Sequence, residues 1–133
     1  MCKGEVSAMI KGLHHVQLTI PKGLEEAGKR FYCDVLQLPE LEKPSALAGR
    51  GGFWVQVGAH EVHIGTEDSV YRFMTKAHIA YEVIELSVWK KRLEAENIAI
   101  LESIPIPGYD RFEFRDPFGN RVEMIQRLLE NQA

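Results

Sequence analysis

The sequence predicts an α+β domain in which one unit, consisting of a strand, a helix, a short strand and a hairpin, occurs twice in succession. Polar and apolar residues alternate over several short segments, which is typical of half-buried strands. Two other segments have apolar residues at every third or fourth position, as an amphipathic helix does. Glycine-containing turns lie between pairs of predicted strands and indicate hairpins.

The size and composition are those of one ordinary globular domain, with 133 residues of which 26% are charged and 45% hydrophobic. The net charge of −3 gives no basic surface for nucleic acid or for an anionic membrane. The sequence contains no signal-peptide pattern and no apolar run of transmembrane length. Cys2 and Cys33 lack zinc-type or CxxC spacing, so we expect two free thiols and a reduced, cytoplasmic setting.

The first unit begins with a strand at 12–20, whose polar face carries His15, Gln17 and Thr19. The adjacent His14 falls on the apolar face, so it is the weaker candidate for a functional residue. The unit continues with a helix, a short strand and the two arms of a hairpin, predicted at 24–36, 45–50, 53–57 and 61–65. In the second arm His63 lies opposite the apolar face, as His15 does.

The second unit repeats this order, and its first strand, at 77–84, carries His78 on the polar face. A helix at 88–97 with Ser87 as its N-cap and a short strand at 98–104 follow. The hairpin at 111–126 turns at Asp116, Pro117, Phe118 and Gly119, a sequence that favours a tight turn. Glu123 lies in the second arm, opposite the face of the apolar residues.

The four polar residues at equivalent places in the repeat are His15, His63, His78 and Glu123. Helices must cover the apolar face of each sheet, so the polar faces are left to line a cavity if the sheets curl. A single strand histidine is more often an ordinary core or surface residue than a ligand. Three imidazoles and a carboxylate in one cavity are a metal-ligand set, so we expect at least three of the four on one metal.

Several motifs of the chain together resemble the vicinal oxygen chelate superfamily, also called glyoxalase/bleomycin resistance/dioxygenase proteins. These motifs are GLHHVQLTI, RFYCDVLQL, EVHIG, HIAYEV and RFEFRDPFGNRVEMIQ. The resemblance implies one glyoxalase-like domain over 1–133, made of two βαβββ modules at 10–66 and 76–128 that form curved mixed sheets around a cavity. It also implies a homodimer and a divalent metal ion (Zn, Ni, Co, Mn or Fe) held by His15, His63, His78 and Glu123.

The resemblance further implies a metal-dependent enzyme of lyase or isomerase type that binds a small substrate through vicinal oxygens. Glu123 is the candidate catalytic base, and the candidate substrate-binding residues are Gln17, Trp54, Arg111 and Glu113. His63 stands where glyoxalase I-like members have a carboxylate or glutamine, which argues against glyoxalase I activity itself. The alternatives are an extradiol-type ring-cleaving dioxygenase and a metal-free protein that binds a drug and confers resistance.

Overall fold

The computed structural model describes residues 8–129, and this part of the chain contains two four-stranded mixed sheets. The strands of the first are β1 (His15–Ile20), β2 (Glu40–Leu41), β3 (Phe53–Val57) and β4 (His60–Thr66), in the order β1-β4-β3-β2. Those of the second are β5 (His78–Glu82), β6 (Leu101–Glu102), β7 (Tyr109–Arg115) and β8 (Arg121–Arg127), in the order β5-β8-β7-β6. The outer strands β1 and β5 run parallel to their neighbours and the other pairs are antiparallel. The predicted α+β fold with a repeated unit is confirmed.

One helical segment accompanies each sheet and packs on its apolar face. In the first unit α1 (Glu25–Lys29) continues directly as a π-helical segment, Arg30–Val35. In the second unit the helix is α2 (Leu86–Ala95), whose Leu93 is fully buried. One hydrophobic core joins the helical side chains to the apolar faces of β3, β4, β7 and β8. The helical segments 25–35 and 86–95 consequently lie on the face of each sheet opposite its polar side chains.

The expected short strand at 45–50 is wrong, because Ser45–Arg50 forms a 3₁₀ helix. The edge position beside β3 is taken by Glu40–Leu41, a pair of residues nearer to α1. The segment SALAGR also contains no β-branched or aromatic residue that would favour a strand. In the second unit the strand expected at 98–104 is reduced to Leu101–Glu102.

The expected N-cap of the second helix is also wrong. The helix begins at Leu86, one residue before Ser87, and no side chain of the preceding residue caps it. The backbone N–H of Leu86 instead donates to the side-chain oxygen of Gln126, on β8, at 2.8 Å. The backbone N–H at the start of the helix therefore finds its acceptor 40 residues away and not in a neighbouring side chain.

The turn between β7 and β8 has the predicted chemistry and also connects the two modules. Asp116 accepts hydrogen bonds from the backbone N–H groups of Phe118 and Asn120, and Gly119 has φ of +104°. The other carboxylate oxygen of Asp116 accepts a 2.5 Å hydrogen bond from Tyr32 in the helical segment of the first module. Burial, and then the Asp116 carboxylate, raise the pKa of Tyr32 well above its ordinary value.

Two arginines hold the connection between the modules, residues 67–77, in place. Buried Arg72 donates to the backbone oxygens of Thr19 and Glu67, and Arg115 donates to backbone oxygens of Arg72, Thr75 and Gly119. The connection is thereby tied to β1 on one side and to the hairpin of the second module on the other.

Cys33 is a free, half-buried thiol, as predicted, and Cys2 lies outside the described residues. Over 8–129, no helix has both the length and the apolar character needed to cross a bilayer.

Candidate metal centre

The inner face of the second module brings together a histidine and two carboxylates. Glu113 on β7 and Glu123 on β8 are directly opposite each other in the antiparallel ladder, so their side chains share a face. On the other side of β8, Ala80 pairs with Glu123 and His78 pairs with Arg121. The ligand atoms of His78, Glu113 and Glu123 lie within 4.8 Å of one another. Among the described residues, this is the one such group of three or more histidine, cysteine or acidic side chains.

The contacts of His78 indicate which of its nitrogens can bind a metal. Its Nδ1 lies 2.9 Å from the backbone oxygen of Lys76, and a carbonyl can only accept, so Nδ1 carries the proton. Neutral His78 then has its lone pair at Nε2, which lies 3.1 Å from Glu123 Oε1. Two acceptors at this distance repel each other unless a proton or a cation lies between them. A ligating histidine ordinarily donates its other N–H in this way, so the donor set fits a divalent metal.

Each carboxylate of this group is paired with an arginine. Both guanidinium contacts of Arg121, at 2.9 and 2.6 Å, go to Oε2 of Glu113. Arg111 lies 3.4 Å from Oε2 of Glu123 and also donates twice to the backbone oxygen of Ile104. Two positive and two negative side chains therefore balance, and a bound divalent cation would give the group a net positive charge.

The corresponding face of the first module contains stacked rings and one carboxylate, that of Glu61. His63 lies between Trp54 and His15, with ring centroids 3.8 and 4.1 Å away and nearly parallel planes. Its Nε2 donates to Glu61 at 3.0 Å, and this hydrogen bond holds the pKa of Glu61 below its usual range. His15 is also within 2.9 Å of His14, measured between their Nδ1 atoms.

Two cavities adjoin these side chains. One, of about 490 Å³, lies over the stacked rings and is also lined by Lys43 and Arg50. The other, of about 460 Å³, lies between β1, the connection and β5, and His78 and Arg121 line it. Gln17, one of the predicted substrate-binding residues, lines both cavities, so it could contact a substrate in either one.

Seven of the eight predicted site residues therefore fall into two groups. His78, Glu113, Glu123 and Arg111 lie together in the second module, whereas His15, His63 and Trp54 lie together in the first, and Gln17 lies between. His15 does not belong to the group of side chains whose donor atoms lie within 4.8 Å of one another. Neither Glu61 nor Arg121 was predicted from the sequence to be a site residue. The alternation of β7 and β8 was the available signal for Arg121, since it falls on the face of Glu123.

Comparison with known proteins identifies the same fold. A family model described as Glyoxalase/Bleomycin resistance protein/Dioxygenase superfamily matches residues 12–124. The structure of a glyoxalase family protein from Bacillus anthracis superposes with a TM-score of 0.84 at 34% identity, covering 92% of this chain and 100% of that one. The fosfomycin resistance protein FosX from Listeria monocytogenes, complexed with Mn(II) and sulfate, has a TM-score of 0.73 at 21% identity, over 92% and 94% of the two chains. A search of curated protein sequences gave no match.

Proposed function

Since the chain belongs to the glyoxalase/bleomycin resistance protein/dioxygenase superfamily, we propose that it is a metal-dependent enzyme of lyase or isomerase type. It would bind a small substrate through two neighbouring oxygen atoms. The observation that carries this proposal is that an imidazole nitrogen of His78 and a carboxylate oxygen of Glu123, both atoms that bind divalent metals, lie 3.1 Å apart while the other imidazole nitrogen faces a backbone oxygen.

The side chains of the second module would divide the work of this reaction. A bound divalent metal would act as a Lewis acid on the substrate oxygens. Lys76 fixes the tautomer of His78 through its backbone oxygen. Glu123, which is buried beside Arg111, is the proposed proton acceptor. The two arginines and two glutamates balance in charge, so the site would have a net positive charge once a divalent metal is bound, and this favours an anionic substrate.

The contribution of the first module depends on how two chains assemble. His15 and His63 line a cavity that does not include His78, and neither belongs to the group formed by His78, Glu113 and Glu123, so we propose that a second copy would supply them if they bind the same metal. The homodimer and the cytoplasmic location stay predictions. Light scattering on the purified chain measures the assembly directly, and a monomer would leave His15 and His63 without this role.

The test is elemental analysis of protein purified without chelator, alongside the His78→Ala variant. We expect about one divalent metal per chain in the wild type and little in the variant. Equal metal content in both would refute the proposal. Fosfomycin with Mn(II) is the first substrate to assay, because FosX binds Mn(II) and the proposed site favours an anion.

The same measurement separates the two alternatives. Bound iron together with oxygen-dependent turnover of catechols would support the extradiol-type dioxygenase. Absence of metal together with tight binding of a drug such as bleomycin would support the binding and resistance protein.

A further inference from the structure

The cavity over the stacked rings of the first module contains two basic side chains that the proposed reaction does not use. Lys43 precedes the 3₁₀ helix Ser45–Arg50 and Arg50 ends it, and both side chains line the cavity. Glu61 is the one acidic side chain among the described residues of the wall, and His63 donates a hydrogen bond to it. With neutral histidines the wall therefore has an excess of positive charge.

Neither basic side chain of this wall has an acidic partner. Over residues 8–129, no carboxylate lies within ion-pair distance of Lys43 or Arg50. Each of the other arginines in this part of the chain contacts a carboxylate, a backbone oxygen or an aromatic ring. Two uncompensated cations at a concave surface attract an anion more strongly than the same charges on an open surface.

The backbone around Arg50 is held in one conformation by its neighbours. Lys43 donates to the backbone oxygen of Gly51 at 2.7 Å, which occupies one of its three N–H groups. Glu25 accepts the backbone N–H of Gly52 at 3.1 Å. Gly52 has φ of +80°, and a Cβ there would clash with a backbone oxygen of β4, so this position requires glycine. The two cations are therefore arranged in advance, which lowers the entropic cost of binding a ligand between them.

We propose that this cavity is an oxyanion subsite, in which Lys43 and Arg50 bind a carboxylate, phosphate or phosphonate group of the substrate. A guanidinium and an ammonium together suit such a group, because its oxygens accept several charged hydrogen bonds. The inference rests on the proposed function, since it assigns a charged end to the substrate of that reaction. The volume of about 490 Å³ is sufficient for a small acid, and the predicted metal ligand His15 lines the same cavity.

The test is a fluorescence titration in which Trp54, on the wall of the cavity, reports binding. The chain has two tryptophans, so Trp89 is first replaced by phenylalanine to leave Trp54 as the only emitter. We expect phenylphosphonate to change the emission saturably, whereas the neutral benzyl alcohol should not. Benzoate is titrated in parallel, and the tighter of the two anions identifies the kind of oxyanion that the subsite prefers.

Substitutions of the two cations show whether they hold the anion. Lys43→Gln and Arg50→Gln should each weaken phenylphosphonate binding by about 10-fold or more, because each removes a charged donor. Lys91→Gln makes the same change of charge on the exposed side of α2 and should bind within about twofold of the unsubstituted protein. Arg50 is exposed, so Arg50→Gln keeps the test valid if Lys43→Gln folds poorly. Unchanged binding in Arg50→Gln, or equal weakening in Lys91→Gln, would overturn the inference.

The titration is run on the full chain as purified and again after chelation, because a phosphonate can also bind a metal directly. We expect phenylphosphonate binding to persist after chelation. Binding that is lost on chelation would mean that the metal holds the anion, and the subsite would be refuted while the proposed function stands. Protein that contains no metal but binds phenylphosphonate through Lys43 and Arg50 would refute the proposed function and leave the subsite supported.

Discussion

Asp116 provides the sharpest test of how the two modules are held together. The side chain is 3% exposed and lies in the turn between β7 and β8. One oxygen accepts the backbone N–H groups of Phe118 and Asn120, at 2.9 and 2.8 Å, and the other accepts the hydroxyl of Tyr32 at 2.5 Å. Asp116→Ala removes all of these acceptors at once, in a place where water does not reach the tyrosine hydroxyl.

The expected loss follows from the groups left without partners. A buried hydroxyl without an acceptor costs about 1–3 kcal/mol, and loss of an aspartate that caps backbone N–H groups costs about 0.5–2 kcal/mol. We therefore expect Asp116→Ala to lower the free energy of unfolding by about 3 kcal/mol. For a domain of this size that corresponds to a decrease in Tm of about 10 °C.

The assay is urea denaturation of metal-freed protein, which removes any contribution of metal binding to stability. Asp110→Ala is a matched control, since this aspartate is on β7 but exposed, and it should change stability by less than about 0.5 kcal/mol. Asp116→Asn keeps one oxygen for the turn and should lose less than Asp116→Ala. A loss under about 1 kcal/mol in Asp116→Ala would refute the reasoning, because the buried hydroxyl alone should cost that much.

Three further predictions concern the turn glycine, alkaline pH and the metal. Gly119→Ala should destabilise the protein more than Gly58→Ala in urea denaturation, although both glycines have positive φ. A Cβ at Gly119 would lie 2.7 Å from an aromatic ring, whereas one at Gly58 would meet nothing within 4 Å. Equal losses of stability in the two variants would contradict this. Because burial raises the pKa of Tyr32, its contribution to stability is complete below pH 10 and is lost progressively as the pH rises above 10. A free energy of unfolding that stays constant from pH 9 to 11 would be inconsistent with this. His78→Ala should remove most of the metal affinity measured by titration, whereas His14→Ala should leave it nearly intact; equal retention in the two variants would show that the assignment of strand faces is wrong.

Local sequence patterns correctly predicted the elements whose conformation depends mainly on their own residues. The alternation in β1 and β8 put His15 and Glu123 opposite the apolar residues, and the turn at Asp116 formed with the expected glycine at positive φ. The segment 45–50 was wrongly expected to be a strand, since a short segment with weak preferences adopts whatever its surroundings allow. The start of α2 was missed because its partner, Gln126, is on a distant strand.

The sequence by itself determined the types of donor available, the face of the strand on which each lies and their occurrence in a repeated unit. The tertiary structure decided which donors meet, bringing Glu113 to His78 and Glu123 while His15 stacks on His63. The physical reason is that alternation along a strand fixes only the direction of a side chain. The distance between donors depends on which strands pair and in what register, and on how the two sheets pack on their common core.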